Sequence, residues 1–185
     1  MKNTLAIVQG VAQQSFKTDV PTAAARKAFD ARLNALAGAH NLLTAKNWET
    51  ALLSEIVADA VSATAGAQAG RVHCNGPEVV LPPQTAVSLA MAVHELSTNA
   101  IKYGALSNEV GTIAVTWSVD RTAEQARLAL TWIESGGPPV AVPGRRGFGL
   151  RMIERGLAAE LRGTVTLEFL PEGMRCTIDA PLRSG

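Results

Sequence analysis

Aromatic side chains are scarce, at 4% of the 185 residues, so Leu, Val, Ile and Ala must fill whatever core the chain makes. At 47% hydrophobic residues there is enough apolar material for a real one. Cysteine is nearly absent. Cys74 and Cys176 form no Cys-x-x-Cys pair and have no histidine at metal-ligand spacing, which argues against structural zinc and for a reducing, cytoplasmic setting. His73-Cys74 reads as strand filler, because adjacent residues point to opposite faces of a strand. An excess of one charge is also lacking. The formal net charge of +1 argues against a nucleic-acid partner held by a broad basic surface. No apolar run approaches the roughly 18 to 20 residues needed to cross a bilayer. The start, Met1-Lys2-Asn3-Thr4-Leu5, has no signal-peptide plan, and there are no repeats or low-complexity tracts. The expectation is a soluble chain without a membrane segment.

What is present divides at about residue 45. Leu5, Val8, Ala12 and Phe16 recur near helical spacing over residues 1–18, and Asp19-Val20-Pro21-Thr22 interrupts them. A second helix is expected from about Thr22 to Leu43. Its stripe Phe29, Leu33, Leu36, His40, Leu43 steps by 4, 3, 4, 3, as in a bundle seam. Residues 1–45 are therefore expected to form an antiparallel hairpin whose seam a second copy could cover, giving a homodimer.

Residues 46–185 change pattern. Trp48, Leu52, Ile56 and Val57 mark a third helix ending near Gly66–Gly70. Arg71–Asn75 and Glu78–Leu81 read as short strands around a Gly-Pro turn, and Pro82-Pro83 opens a long helix. Gly111–Val119 and Ala126–Glu134 read as strands, Leu150–Leu161 as a helix, and Thr164–Leu170 with Met174–Ala180 as a closing hairpin. The fold class predicted is α+β, a mixed sheet with helices stacked on one face.

The long helix carries the most informative run, His94-Glu95-Leu96-Ser97-Thr98-Asn99-Ala100-Ile101-Lys102-Tyr103-Gly104. Helical spacing places Glu95, Asn99 and Lys102 on one face, while Leu89, Val93, Leu96 and Ala100 form an apolar stripe on the other. A carboxylate, an amide and an ammonium together can serve as general base, hard-metal ligand and phosphate counter-charge. An ordinary solvated helix face is the alternative.

Two further elements point the same way. Leu128, Leu130, Trp132 and Glu134 share one strand face, which puts a carboxylate at the mouth of a buried surface, just before Ser135-Gly136-Gly137. It could accept a hydrogen bond from an exocyclic amine such as adenine's, or it could simply turn to solvent. Gly147-Phe148-Gly149-Leu150 precedes a helix, where backbone N–H groups can approach an anion, and Arg145, Arg146 and Arg151 flank it. The Gly- and Pro-rich segment Ser135–Gly147 has the length of a lid.

These elements, in this order, resemble the ATP-binding half of histidine kinases, the Bergerat fold. More narrowly they resemble the HWE subfamily, named for a His in the first box and a Trp-x-Glu further on, here His94, Trp132 and Glu134. Lys2-Asn3-Thr4-Leu5 is similar to the start of that family's acceptor helix, where the run is His-Arg-Val-Lys-Asn-Thr-Leu. The resemblance implies Mg²⁺ bridging the phosphates through Asn99 and Glu95 acting on the attacking imidazole. It further implies that Lys102 neutralises phosphate charge and that Tyr103 packs by the nucleotide. Glu134 would read adenine, with Gly136 and Gly137 giving the base room. Gly147, Gly149, Leu150 and Arg146 would complete the phosphate end. Trp132 could wall the adenine pocket or be a core residue; His94 could touch nucleotide or merely pack.

Aligned on Lys2-Asn3, the acceptor histidine falls two positions before Met1, and His40, His73 and His94 lie outside its context. The resemblance thus implies the catalytic core of a sensor histidine kinase that phosphorylates a histidine and passes the phosphate to a response-regulator aspartate. The 185 residues alone would bind ATP without labelling themselves. The alternative is an acceptor-less, kinase-like dimer that docks a receiver domain. A chaperone- or topoisomerase-type ATPase is disfavoured by the helical hairpin and the short lid.

Overall fold

A computed structural model describes residues 22–45, 51–144 and 148–182, together with Val8 and Ala12. Strict alternation builds its sheet. In β4 (Thr112–Asp120) Ile113, Val115 and Trp117 turn inward, and in β5 (Arg127–Ser135) Leu128, Leu130, Trp132 and Glu134 do the same. β7 (Gly173–Pro181) contributes Met174, Cys176, Ile178 and Ala180, and β6 (Thr164–Leu170) contributes Leu167. With β2 (Val72–Asn75) the strand order is β2-β4-β5-β7-β6. The β2–β4 pair is parallel and the rest antiparallel. The opposite face carries small polar pairs such as Thr116 and Thr131, in register with their hydroxyls 2.8 Å apart.

Three helices cover the apolar face. α2 (Leu53–Ala65) lays down Leu53, Ile56, Val57 and Val61; α3 (Pro83–Lys102) lays down Leu89, Val93, Leu96 and Ala100. The third, α4, is a continuous rod of Phe148–Arg151, a π-helical Met152–Leu157 and Ala158–Leu161, burying Ile153 and Leu157. One apolar cluster joins all of these elements. Burial of each large side chain contributes on the order of 1.5–3 kcal/mol. The α+β sandwich expected from the pattern is the architecture found. Pro83 stands in the first turn of α3, where a missing N–H removes no helical hydrogen bond.

The structure differs from the sequence reading in three places. The strands expected at Arg71–Asn75 and Glu78–Leu81 are shorter, Val72–Asn75 and Val80–Leu81, and belong to different sheets: β3 (Val80–Leu81) pairs with β1 (Ala51–Leu52), and β2 pairs with β4. Gly76 lies so close to the Trp117 ring that a Cβ would overlap it, and the Pro77 carbonyl accepts from the Trp117 indole at 2.8 Å. That packing carries the chain away from β2. The third helix begins at Leu53 instead of near Trp48, which lies outside the described residues.

The third difference concerns the hairpin. Its second arm, α1 (Thr22–Ala45), is helical as expected; the first arm lies outside the described residues, apart from Val8 and Ala12, which are helical. Phe29 and Leu36, expected on a seam open to a second copy, are instead taken up within the chain. Leu36 is buried against Met91 of α3, with Val8, Phe29, Val87 and Met152 packed around the pair. Leu33 stays at the exposed edge and His40 is exposed, while the Leu43 side chain is outside the description.

Candidate functional site

The wet face of α3 looks into a cleft of about 840 Å³, of the size that holds a nucleotide-like ligand. Glu95, Asn99 and Lys102 all line it, as their spacing on one helix predicts, and so do His94, Thr98 and Tyr103. Opposite stand Val140, Ala141 and Pro143 of the segment after β5, together with Gly149 and Leu150 of α4. Tyr103, 73% exposed, sits where α3 has just ended.

Glu134 closes one end. It is buried, although it carries a carboxylate. Its Oε2 accepts from the Ala105 amide at 2.9 Å, and its Oε1 accepts from the indole Nε1–H of Trp132 at 3.2 Å. Burial pushes its pKa up, while the Ala105 and Trp132 hydrogen bonds pull it back. Gly104 has to be glycine here, because a Cβ would overlap Oε2 of Glu134. Trp132 itself is fully buried and does not line the cleft, so of its two readings the structure chooses the core, with an added duty as donor to Glu134.

Glu95 marks the other end. It is also buried, and its carboxylate receives Arg32 of α1, with Nε 2.8 Å from Oε1 and Nη2 3.4 Å from Oε2. Its Oε2 faces Gly149, where a Cβ would overlap it. Seven positions separate Glu95 from Lys102, the last residue of α3, about 10.5 Å along a helix rising 1.5 Å per residue, with Gly104 two residues beyond.

His94 is held from behind. Thr64 Oγ1 lies 2.8 Å from the Ala60 carbonyl and 2.9 Å from His94 Nδ1, a hydrogen bond whose direction follows the ring's tautomer. Burial lowers the His94 pKa; Glu95 opposes the shift, and Arg32 and Lys102 add to it.

The remaining residues named from the sequence fall elsewhere. Gly136 and Gly137 do not line the cleft; they let the backbone after β5 lie against Gly111 and the Gly104-Ala105 step. Gly136 has φ +72°, and its carbonyl accepts from the Asn108 amide at 2.9 Å. Arg146 and Gly147 lie outside the described residues. Sequence reasoning missed Lys27 and Arg32, which α1 brings to the cleft, and Phe169 and Met174 from the closing hairpin. Arg32 had one visible signal, a long cation flanked on its own helix face by Phe29 and Leu36.

Among the described residues no group of three or more His, Cys, Asp and Glu side chains could hold a metal, and no helix is long and apolar enough to cross a membrane. Asn99 and Glu95 together offer amide and carboxylate oxygens, a donor set that fits a hard divalent cation such as Mg²⁺ better than a soft one.

The sequence model of the HWE histidine kinases matches residues 1–78. Blue-light-activated histidine kinases of Brucella ovis and Brucella abortus are each 38% identical over 181 residues, covering 98% of this chain and 37% of theirs. The chain thus spans little more than a third of the length of these curated relatives. Among solved structures, the blue-light activated histidine kinase EL346 of Erythrobacter litoralis superposes with a TM-score of 0.67 at 18% identity, covering 98% of this chain and 58% of that one. The catalytic domain of histidine kinase ThkA gives 0.52 at 17% identity, covering 71% of this chain and 94% of that one. At these identities the superpositions show the fold alone, that of a histidine kinase catalytic domain.

Proposed function

Because the chain belongs to the HWE histidine kinase family, we propose that it is the Mg-ATP-binding catalytic core of a two-component sensor kinase, with a helical hairpin over residues 1–45 and the ATP-binding domain over residues 46–185. One observation carries this reading: the carboxylate, amide and ammonium of a single α3 face share a cleft with a buried carboxylate at the tip of β5. A solvated helix face would have no use for the second carboxylate.

The proposed roles are these. Glu134 accepts from the exocyclic amine of adenine, having been turned toward the cleft by Ala105 and Trp132. Tyr103 covers the base. Asn99 holds Mg²⁺, which when bound neutralises phosphate charge and aligns the terminal phosphate. Lys102 adds a further positive charge, and Gly149 and Leu150 close the phosphate end; Gly147 and Arg146, outside the described residues, are assigned to it by the family resemblance alone. Glu95 takes the proton from the acceptor imidazole as its ring nitrogen bonds to the γ-phosphorus and the bond to the β-phosphate oxygen breaks, releasing ADP. Such a transfer asks a protein chiefly for placement and charge neutralisation. The phosphate then passes to a response-regulator aspartate, and the kinase works as a homodimer in the cytoplasm.

The acceptor is assigned to a histidine outside the context of His40, His73 and His94, so the 185 residues alone are expected to bind ATP without acid-labile labelling. A receiver-docking module without chemistry is the second reading, favoured by that same histidine inventory. Asn99→Asp decides between them. Loss of Mg-ATP binding in titration calorimetry supports the catalytic reading. Wild-type nucleotide silence together with receiver binding would support the other.

A further inference from the structure

Arg32 stands on the hairpin, on an element separate from every group assigned above to the nucleotide, yet its guanidinium reaches the cleft. The side chains of Arg32 and Glu95 are only 15% and 8% exposed, so the pair is largely shielded from water. The reach is enforced by packing. Leu36, one turn further along α1, is buried against Met91, one turn earlier on α3. The two rungs, Leu36 on Met91 and Arg32 on Glu95, fix how α1 lies on α3.

The charges at the cleft show what such an arginine is suited to. Lys27, Arg32 and Lys102 line it against Glu95 and Glu134, and Glu134 lies at the far end beside Gly104. Among the described residues lining the cleft three cations therefore face two carboxylates, and two of the cations, Lys27 and Arg32, come from α1, a balance that favours a polyanion. While Arg32 donates to Oε1 of Glu95, that lone pair is not available to receive a proton. A guanidinium fork fits carboxylate and phosphate oxygens equally well, so exchanging one anion for the other preserves its hydrogen bonds.

Building on the nucleotide reading, we propose that Arg32 is a positioning residue that senses the terminal phosphate: it rests on Glu95 when the phosphate end is empty and transfers to the γ-phosphate of bound ATP, freeing the Glu95 carboxylate to act as base. ADP, one phosphate shorter, leaves the Arg32–Glu95 pair intact. The base is thus released only when a transferable phosphate is present, and the releasing group comes from the hairpin.

The test is calorimetric titration of the 185-residue chain with Mg-ATP and Mg-ADP separately, in wild type, Arg32→Ala, Arg32→Lys and Glu95→Gln. Arg32→Ala is expected to weaken ATP roughly ten- to a hundredfold, as for loss of a charge-assisted hydrogen bond, and to leave ADP within about twofold. Retained ADP binding also shows that the variant is folded. Arg32→Lys is expected to recover part of the loss. Glu95→Gln is expected to tighten ATP relative to ADP, since the guanidinium no longer has to leave an anion. Equal weakening of both nucleotides by Arg32→Ala, or no change in either, or weakening of both by Glu95→Gln, overturns the inference and leaves an ordinary structural ion pair. A wild-type chain that binds neither nucleotide overturns the ATP reading itself, and this inference with it.

Discussion

The indole nitrogen of Trp132 lies 3.2 Å from Oε1 of Glu134, two residues along the same strand face. The tryptophan is wholly buried, so its N–H needs a partner and the carboxylate supplies one. In return Glu134 is held with its other oxygen on the Ala105 amide. Trp132→Phe keeps most of the ring and removes the donor. Adenine offers an amine where guanine offers a carbonyl, so the selectivity for ATP over GTP is expected to fall about tenfold, within the range for losing one hydrogen bond to a charged group. Competition binding measures that ratio, which a uniform loss of stability leaves unchanged. Full retention of the preference would remove Trp132 from adenine recognition.

Two glycines border the carboxylates at opposite ends of the cleft. A methyl at Gly149 would meet Oε2 of Glu95, and a methyl at Gly104 would meet Oε2 of Glu134, with the Ala100 backbone close behind it. Moving Glu95 aside would loosen its ion pair with Arg32 at the contact between α1 and α3, whereas moving Glu134 would cost the Ala105 and Trp132 hydrogen bonds of a group set into the sheet. Gly149→Ala is therefore expected to lower phosphotransfer in a chain carrying its acceptor and to loosen the Arg32–Glu95 contact, with the stability of the sheet unchanged. Gly104→Ala is expected to cost both nucleotide affinity and about 1–3 kcal/mol of stability. Thermal melts and nucleotide titrations on the two variants check the contrast.

The layout of the sheet and its helices was legible because each element obeys one period. The alternation of β4 and β5 and the stripe of α3 are visible in single segments, so the side of α3 carrying Glu95, Asn99 and Lys102 could be read without a structure. The fate of the α1 stripe was not legible. An apolar seam can be covered by another copy or by another part of the same chain, and nothing in the spacing of Phe29, Leu33 and Leu36 distinguishes the two. The same ambiguity hid Arg32, whose partner lies 63 positions away. Gly136 and Gly137 carry a related ambiguity: a glycine pair signals close approach without saying whether a ligand or another stretch of backbone approaches, and here backbone does. The π-helical turn of α4 and the pairing of β3 with β1 likewise depend on contacts distant in sequence.

His94 gives the chain a pH dependence whose sign is fixed. Its pKa is lowered from 6.5 in the folded chain, mainly by burial. Between the folded value and 6.5 the unfolded chain binds more protons, so stability rises with pH across that window. The contribution is complete above pH 6.5 and is lost as pH falls toward the folded value. Protonation adds charge close enough to Arg32 and Lys102 for both to oppose it. His94→Asn keeps a side-chain N–H to offer Thr64 and does not titrate. Melting temperatures of wild type are expected to decline more steeply than those of the variant below pH 6.5. Parallel curves would show that His94 is not the group responsible.

Leu36 tests how the hairpin is held. It belongs to a small cluster with Met91, Phe29, Val8, Val87 and Met152, distinct from the main core around Leu53, Trp132 and Ile178, with Val87 packed against both. Leu36→Ala removes buried volume where collapse is limited, a change that typically costs about 2–5 kcal/mol in a core. Here the loss falls on the contact between α1 and α3, so α1 can detach while the sandwich stays folded. Amide exchange across residues 22–45 is therefore expected to rise by a factor of about 30 or more, the equivalent of 2 kcal/mol, with exchange in β5 and β7 unchanged. Leu53→Ala, made in the main core, is expected to raise exchange in the sheet as well. If Leu36→Ala instead loosens the sheet to the same degree as Leu53→Ala, the hairpin arm and the sandwich unfold as one cooperative unit, and an arginine carried on α1 could not leave Glu95 independently of the sandwich.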